Sequence, residues 1–142
     1  MTKTEIPPDK ISAYKATDYR AGGAPDALVM RIGQHSPELL SLYKETGSDC
    51  ALFITAFNPL GQKRDDAANE AAHTRLEEQL RAVTNHLIEG EGADPAGQWP
   101  AERSYLALGI DADAARRLGR LFEQDAVVWI GKDAVPQLLL LR

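Results

Sequence analysis

The sequence predicts an α/β fold: a single mixed β-sheet of about five to six strands, about three helices packed on it, and a C-terminal β-hairpin. Three observations predict it. Short apolar runs bounded by turn residues recur along the chain, as strands require. Longer segments with apolar residues at helical spacing open on Ser, Asp or Pro, as capped helices do. Runs and segments alternate through the first half, the order of βαβ crossovers, while the last two runs are joined by a short turn.

Residues 1–9 read as a polar tail, and residues 10–142 as one domain. Pro7-Pro8 stops any helix, and Asp9 can cap a short one over 10–17. The composition of residues 21–26 is that of a loop, and 27–32 is a short apolar strand. Ser36 and Pro37 supply the N-cap and first position of a helix that buries Leu39, Leu40 and Tyr43 and ends at Gly47. Residues 50–57 form a nearly continuous apolar run, which fits a central strand buried on both faces. Asn58-Pro59-Leu60-Gly61 ends it, because proline gives no donor to a ladder.

A long helix is expected over 65–84, with Asp65 and Asp66 at its positive end and Glu77 paired to Arg81. Residues 86–89 read as a short strand and 90–100 as a loop rich in glycine, proline and acid. A strand over 103–110 follows. Asp111 then caps a helix to about 122 whose inner face is Ala115, Leu118, Gly119 and Phe122. Strands over 125–130 and 137–141 close the chain around a turn at 131–133. No internal repeat is evident.

Composition removes several classes of function. The formal net charge is −5, which disfavours sequence-independent nucleic-acid binding. No apolar run approaches the ~18–20 residues of a membrane helix. The first ten residues carry charges and two prolines where an export signal needs an apolar stretch, so a cytoplasmic location is expected. The one cysteine, Cys50, makes neither an internal disulfide nor a cysteine zinc site. His35, His73 and His86 are scattered, so no metal site and no cofactor are expected. Residues 90–97 imitate a phosphate-binding loop, yet they carry two acids and no Lys-Ser or Lys-Thr follows. No G-x-S-x-G occurs.

Four motifs occur in order: Thr55-Ala56-Phe57-Asn58-Pro59; Asn69; Trp99-Pro100-Ala101-Glu102-Arg103-Ser104-Tyr105-Leu106; and Phe122-Glu123-Gln124-Asp125-Ala126-Val127. Over residues 14–130 they resemble a bacterial family, domain of unknown function three-two-nine-three. The resemblance implies a small standalone bacterial protein and no assigned reaction. Glu123 departs from it, since Gly or Asn is more usual there.

The motif residues are also candidate site residues. Asn69 shares a helical stripe with Leu76, Leu80 and Leu87, so its amide faces the apolar side and must find partners. It can hold the loop at 58–63, which weighs more heavily, or meet Asn58 at a strand end and read a small polar ligand. Thr55 stands near the same strand end. Glu102 is the best acid–base candidate: it follows a loop carrying Trp99, and a carboxylate desolvated beside an indole has its pKa raised. Its alternatives, a surface role or pairing with Arg103 or a loop N–H, weigh more. Gln124 either caps a helix or lines the same pocket. Arg116, Arg117 and Arg120 can hold an anion, although Asp113 offers local pairing and a solvated face weighs more.

Two functions remain open. One is a binding or enzymatic pocket lined by Thr55, Asn58, Asn69, Glu102 and Gln124, with Trp99 as wall. The other is a regulatory or adaptor protein acting through a surface, with residues 138–141 as an edge for sheet extension or a homodimer.

Overall fold

A computed structural model describes residues 4–23 and 27–142. Residues 1–3 of the expected tail and 24–26 of the expected loop lie outside the described residues. The elements are α1 (Pro8–Ala16), β1 (Asp18–Ala21), β2 (Leu28–Met30), α2 (Pro37–Thr46), β3 (Ala51–Ile54), a 3-10 turn (Pro59–Gly61), α3 (Asp66–Arg81), β4 (Leu87–Ala93), β5 (Glu102–Leu108), α4 (Ala112–Leu121), β6 (Ala126–Ile130) and β7 (Pro136–Leu140). The seven strands form one sheet in the order β2-β1-β4-β5-β3-β6-β7.

The α/β class stands, with one difference from the expected mixed sheet. Every pairing is antiparallel. The alternation of strand and helix is real, but each crossover skips at least one strand. β3 and β4, joined by α3, both run antiparallel to β5 between them. Likewise β5 and β6, joined by α4, both flank β3. These are split βαβ units, so parallel strands never become neighbours. β6 and β7 form the expected C-terminal hairpin.

Local chemistry sets the helix starts. The side chains of Ser36, Asp65 and Asp111 accept from the N–H groups of Leu39, Ala68 and Ala114, each engaging a donor the helix leaves free. Gly47 ends α2 at φ 69°. α1 differs from expectation: it begins at Pro8 with no side-chain cap, because proline at the first position has no donor to satisfy. α3 ends at Arg81, so Leu87 belongs to β4 rather than to the helical stripe.

Two strands depart from the sequence reading. β1 carries Asp18 and Arg20 beside Tyr19 and Ala21 and shows no apolar run, so the pattern does not predict it. β4 runs through Gly90 and Gly92 to Ala93, where a loop was expected. A Cβ at Gly90 would collide with the Arg20 carbonyl oxygen, so glycine marks close backbone approach here rather than a turn.

β3 is buried at all four positions. Leu52 and Ile54 pack with Tyr105, Ala107 and Val127 beneath α3 and α4. Ala51 and Phe53 pack with Leu106, Leu108, Val128 and Ile130 beneath Leu39 and Tyr43 of α2. Among the described residues no helix is long and apolar enough to cross a membrane.

Candidate functional site

On the α2 face, alternate residues of β5 run Leu108, Leu106, Ser104, Glu102, from large to small to acidic. Their partners Gly90 and Gly92 on β4 have no side chains. The apolar layer therefore thins toward this end of the sheet and leaves a cavity of about 530 Å³. Phe53, Val128 and Leu138 line it from the sheet, Phe57 and Trp99 from the loops, and Lys10, Ala13, Tyr14 and Thr17 from α1 and its C-terminal end. A volume of this order accommodates a metabolite-sized ligand.

A polar network closes one end. The Asn58 amide donates from Nδ2 to Glu102 Oε2 at 3.0 Å. Its Oδ1 accepts from Arg64 N–H (3.0 Å) and from Asn69 Nδ2 (3.1 Å). Asn69 Oδ1 accepts from the Asn58 backbone N–H at 3.0 Å, so the two amides clamp each other. Gln124 Nε2 donates to the carbonyls of Phe57 and Phe122, both at 3.2 Å. Thr55 Oγ1 donates to the Arg103 carbonyl (2.7 Å) and accepts from Phe57 N–H (3.1 Å).

The backbone beside this network is strained. Asn58, Leu60 and Glu123 all have positive φ, at 50°, 57° and 55°. The Leu60 N–H donates to the Glu123 carbonyl at 2.6 Å, joining the two strained segments. Each such non-glycine residue costs about 1–3 kcal/mol and persists only where its surroundings over-determine it. Asparagine tolerates this region best, which suits Asn58. Glycine or asparagine would hold the positive φ at position 123 with less strain than Glu123 does.

Burial raises the Glu102 pKa above the ordinary carboxylate range, opposed by the Asn58 hydrogen bond and by Lys10. Burial also raises the Tyr14 phenol, helped by the nearby carboxylates of Asp125 and Glu102. The Tyr14 hydroxyl and Glu102 Oε1 have no hydrogen-bond partner among the described residues. Asp125 is buried and holds both Lys10 and Arg142.

Thr55, Asn58, Asn69, Trp99, Glu102 and Gln124 thus all line one cavity. Their free capacity differs. The polar atoms of Asn69 and Thr55 are engaged by protein groups, which is the loop-holding role. Gln124 does cap the end of α4 through the Phe122 carbonyl. Arg116, Arg117 and Arg120 lie on α4 and do not line the cavity, and Arg116 pairs with Asp113 at 3.5 Å. His73 does not reach it either. It is buried against Tyr105 in a stacked pair, with burial and Arg103 lowering its pKa.

Lys10, Tyr14 and Ser104 were not among the expected site residues. Among the described residues no group of three His, Cys, Asp or Glu side chains is placed to hold a metal. The chemistry on hand is proton transfer or hydrogen bonding at Glu102, in a pocket walled by aromatics.

Residues 54–127 match the model of the family described as "Protein of unknown function (DUF3293)", just over half of the chain. The chain belongs to that family. No curated protein and no solved structure matches it. The DUF3293 segment contains all six cavity residues expected from the motifs. It leaves out α1, so the Tyr14 and Lys10 side of the cavity comes from outside the matched segment.

Proposed function

We propose that this DUF3293 protein binds a small polar ligand in the cavity, with Glu102 as hydrogen-bond anchor and proton carrier. The observation that carries the reading is the state of Glu102. One carboxylate oxygen is fixed by Asn58, which is itself clamped by Asn69, while the other has no partner among the described residues. A carboxylate held partly desolvated and half-engaged costs stability, and strain at Asn58, Leu60 and Glu123 adds to that cost. Sites of this kind are retained where a ligand uses them. A bacterial, cytoplasmic setting belongs to the same reading.

The test is a titration of the full chain with benzylamine, benzamidine, benzyl alcohol and benzoate, followed at the Trp99 indole N–H by NMR. At least one should give a saturable shift, and Ser104→Leu, which fills the cavity floor, should abolish it. No saturable shift from any of the four defeats the reading.

A second reading has one observation in its favour. β7 is a sheet edge, and Leu140 on it is exposed. Strand addition there would make a homodimer. Leu139 packs inward against the α4 side, so Leu140→Lys is the informative variant. A dimer mass that falls to monomer in Leu140→Lys supports this reading, and a monomer in both opposes it.

A further inference from the structure

The cavity can be assigned a ligand class, which rests on the reading of it as a binding site. Two features of the lining decide the class. The first is aromatic concentration. Five of the chain's nine aromatic side chains line this one cavity: Tyr14, Tyr19, Phe53, Phe57 and Trp99. The second is the polarity of the groups left uncommitted. Asn58 Nδ2, Asn69 Nδ2, Gln124 Nε2 and Ser104 Oγ all donate to protein oxygens. Lys10 is tied to Asp125. Among the described residues the acceptors without a partner are Glu102 Oε1, Gln124 Oε1 and the exposed Asp66 carboxylate, and the donors without one are the Tyr14 hydroxyl, the Trp99 indole N–H and the exposed side chains of Lys63 and Arg64.

The Gln124 orientation is not arbitrary. Its nitrogen meets two carbonyls, Phe57 and Phe122, so its oxygen is the end left over. Of the uncommitted charged groups Glu102 alone is partly buried, since Lys63, Arg64 and Asp66 are exposed, so a ligand head at the desolvated end of the cavity must bring N–H donors. An anion at that end would meet the Glu102 carboxylate. A cation would satisfy Glu102 in a desolvated setting, where opposite charges attract more strongly than in water. Aromatic faces around such a head add cation–π attraction, and the remaining apolar wall takes an apolar body.

We propose that the cavity is selective for an organic ammonium or amidinium ion carrying an aromatic or similarly sized apolar body, with the cationic head on Glu102. Recognition is by charge and N–H count, and the apolar wall between Trp99 and Phe53 sets body size.

The four benzyl probes share a body and differ in head, so calorimetry of the full chain at neutral pH separates the outcomes. Benzylamine and benzamidine should bind roughly tenfold or more tightly than benzyl alcohol, and benzoate more weakly than either cation. In Glu102→Gln the preference for the cations over benzyl alcohol should collapse while benzyl alcohol still binds. That retained binding shows that the variant keeps its cavity. Cation affinity in the natural chain should fall as pH drops through the raised Glu102 pKa, with no matching fall for benzyl alcohol. Benzoate binding as tightly as benzylamine, or a cation preference intact in Glu102→Gln, overturns the ligand class and leaves the cavity reading standing. Binding by none of the four overturns both.

Discussion

Asn69→Ala removes the clamp on which the site geometry depends. Asn69 is buried in the first turn of α3 and makes three hydrogen bonds, to the Asn58 N–H, the Asn58 Oδ1 and the Arg64 carbonyl. Alanine leaves the Asn58 N–H and the Arg64 carbonyl without protein partners. Each orphaned group costs about 1–3 kcal/mol when buried. Asn58 is half-buried and Arg64 exposed, so water can reach both groups, the low end applies to each, and the total is about 2 kcal/mol. The loss should appear in urea unfolding as a lower midpoint at unchanged slope. The site changes as well. Asn58 Nδ2 is no longer held on Glu102, and that bond lowers the Glu102 pKa, so carboxyl NMR should place Glu102 higher in the variant. Asn58→Gly keeps the positive φ and removes one bond that Asn69→Ala also removes, from Asn69 Nδ2 to Asn58 Oδ1, so the double variant should lose less than the sum of the two singles. A loss below about 0.5 kcal/mol, or strict additivity, refutes the clamp.

Three further results are expected. Glu123→Gly should stabilise the fold by about 0.5–1 kcal/mol, since it relieves a left-handed backbone worth about 1–2 kcal/mol against the entropy glycine adds to the unfolded chain; thermal unfolding checks it, and a loss of stability opposes it. Burial lowers the His73 pKa, so its contribution is complete above the ordinary imidazole value and is lost as pH falls through the lowered one. His73→Phe, which keeps the stack on Tyr105, should flatten the acid side of the stability curve, and an unchanged curve counts against this. Glu102 has the opposite sign: its raised pKa gives stability that is complete below the ordinary carboxylate value and lost as pH rises through the raised one. Glu102→Gln should therefore gain on the natural chain as pH rises through that window in urea unfolding, and a growing deficit instead would make Glu102 a structural staple.

Much of this fold is legible locally. Ser36, Asp65 and Asp111 announce helix starts because a capping bond spans three residues of chain. The apolar run at 51–54 announces a strand buried on both faces. β1 is hidden because Asp18 and Arg20 point to the side opposite Tyr19 and Ala21 and find charged partners there, with Arg20 3.7 Å from Glu91 and Arg31 2.7 Å from Asp18. The end of β4 is hidden because glycine serves both turns and close backbone contacts, and only the neighbouring strand decides which. The skipped-strand topology is likewise a property of pairing partners distant in sequence.

The same division holds at the site. Asn58, Asn69, Glu102 and Gln124 are visible as polar residues at element ends or on an apolar stripe. Lys10 is not, because its partner Asp125 lies 115 residues away and α1 has no buried residue to mark its inner side. Tyr14 is equally silent: one aromatic on a short polar helix says nothing until the sheet end beneath it is seen to be empty. Ser104 and Gly92 carry their signal by what they lack, which only the register of β4 on β5 converts into a cavity.

The most direct measurement is a crystal structure of the full chain soaked in benzamidine. The ring should lie in the cavity against Trp99 and Phe57, with an amidinium nitrogen within hydrogen-bond distance of Glu102 Oε1. An empty cavity at saturating benzamidine, or a ring bound only elsewhere on the surface, contradicts the assignment of this cavity as a cation site.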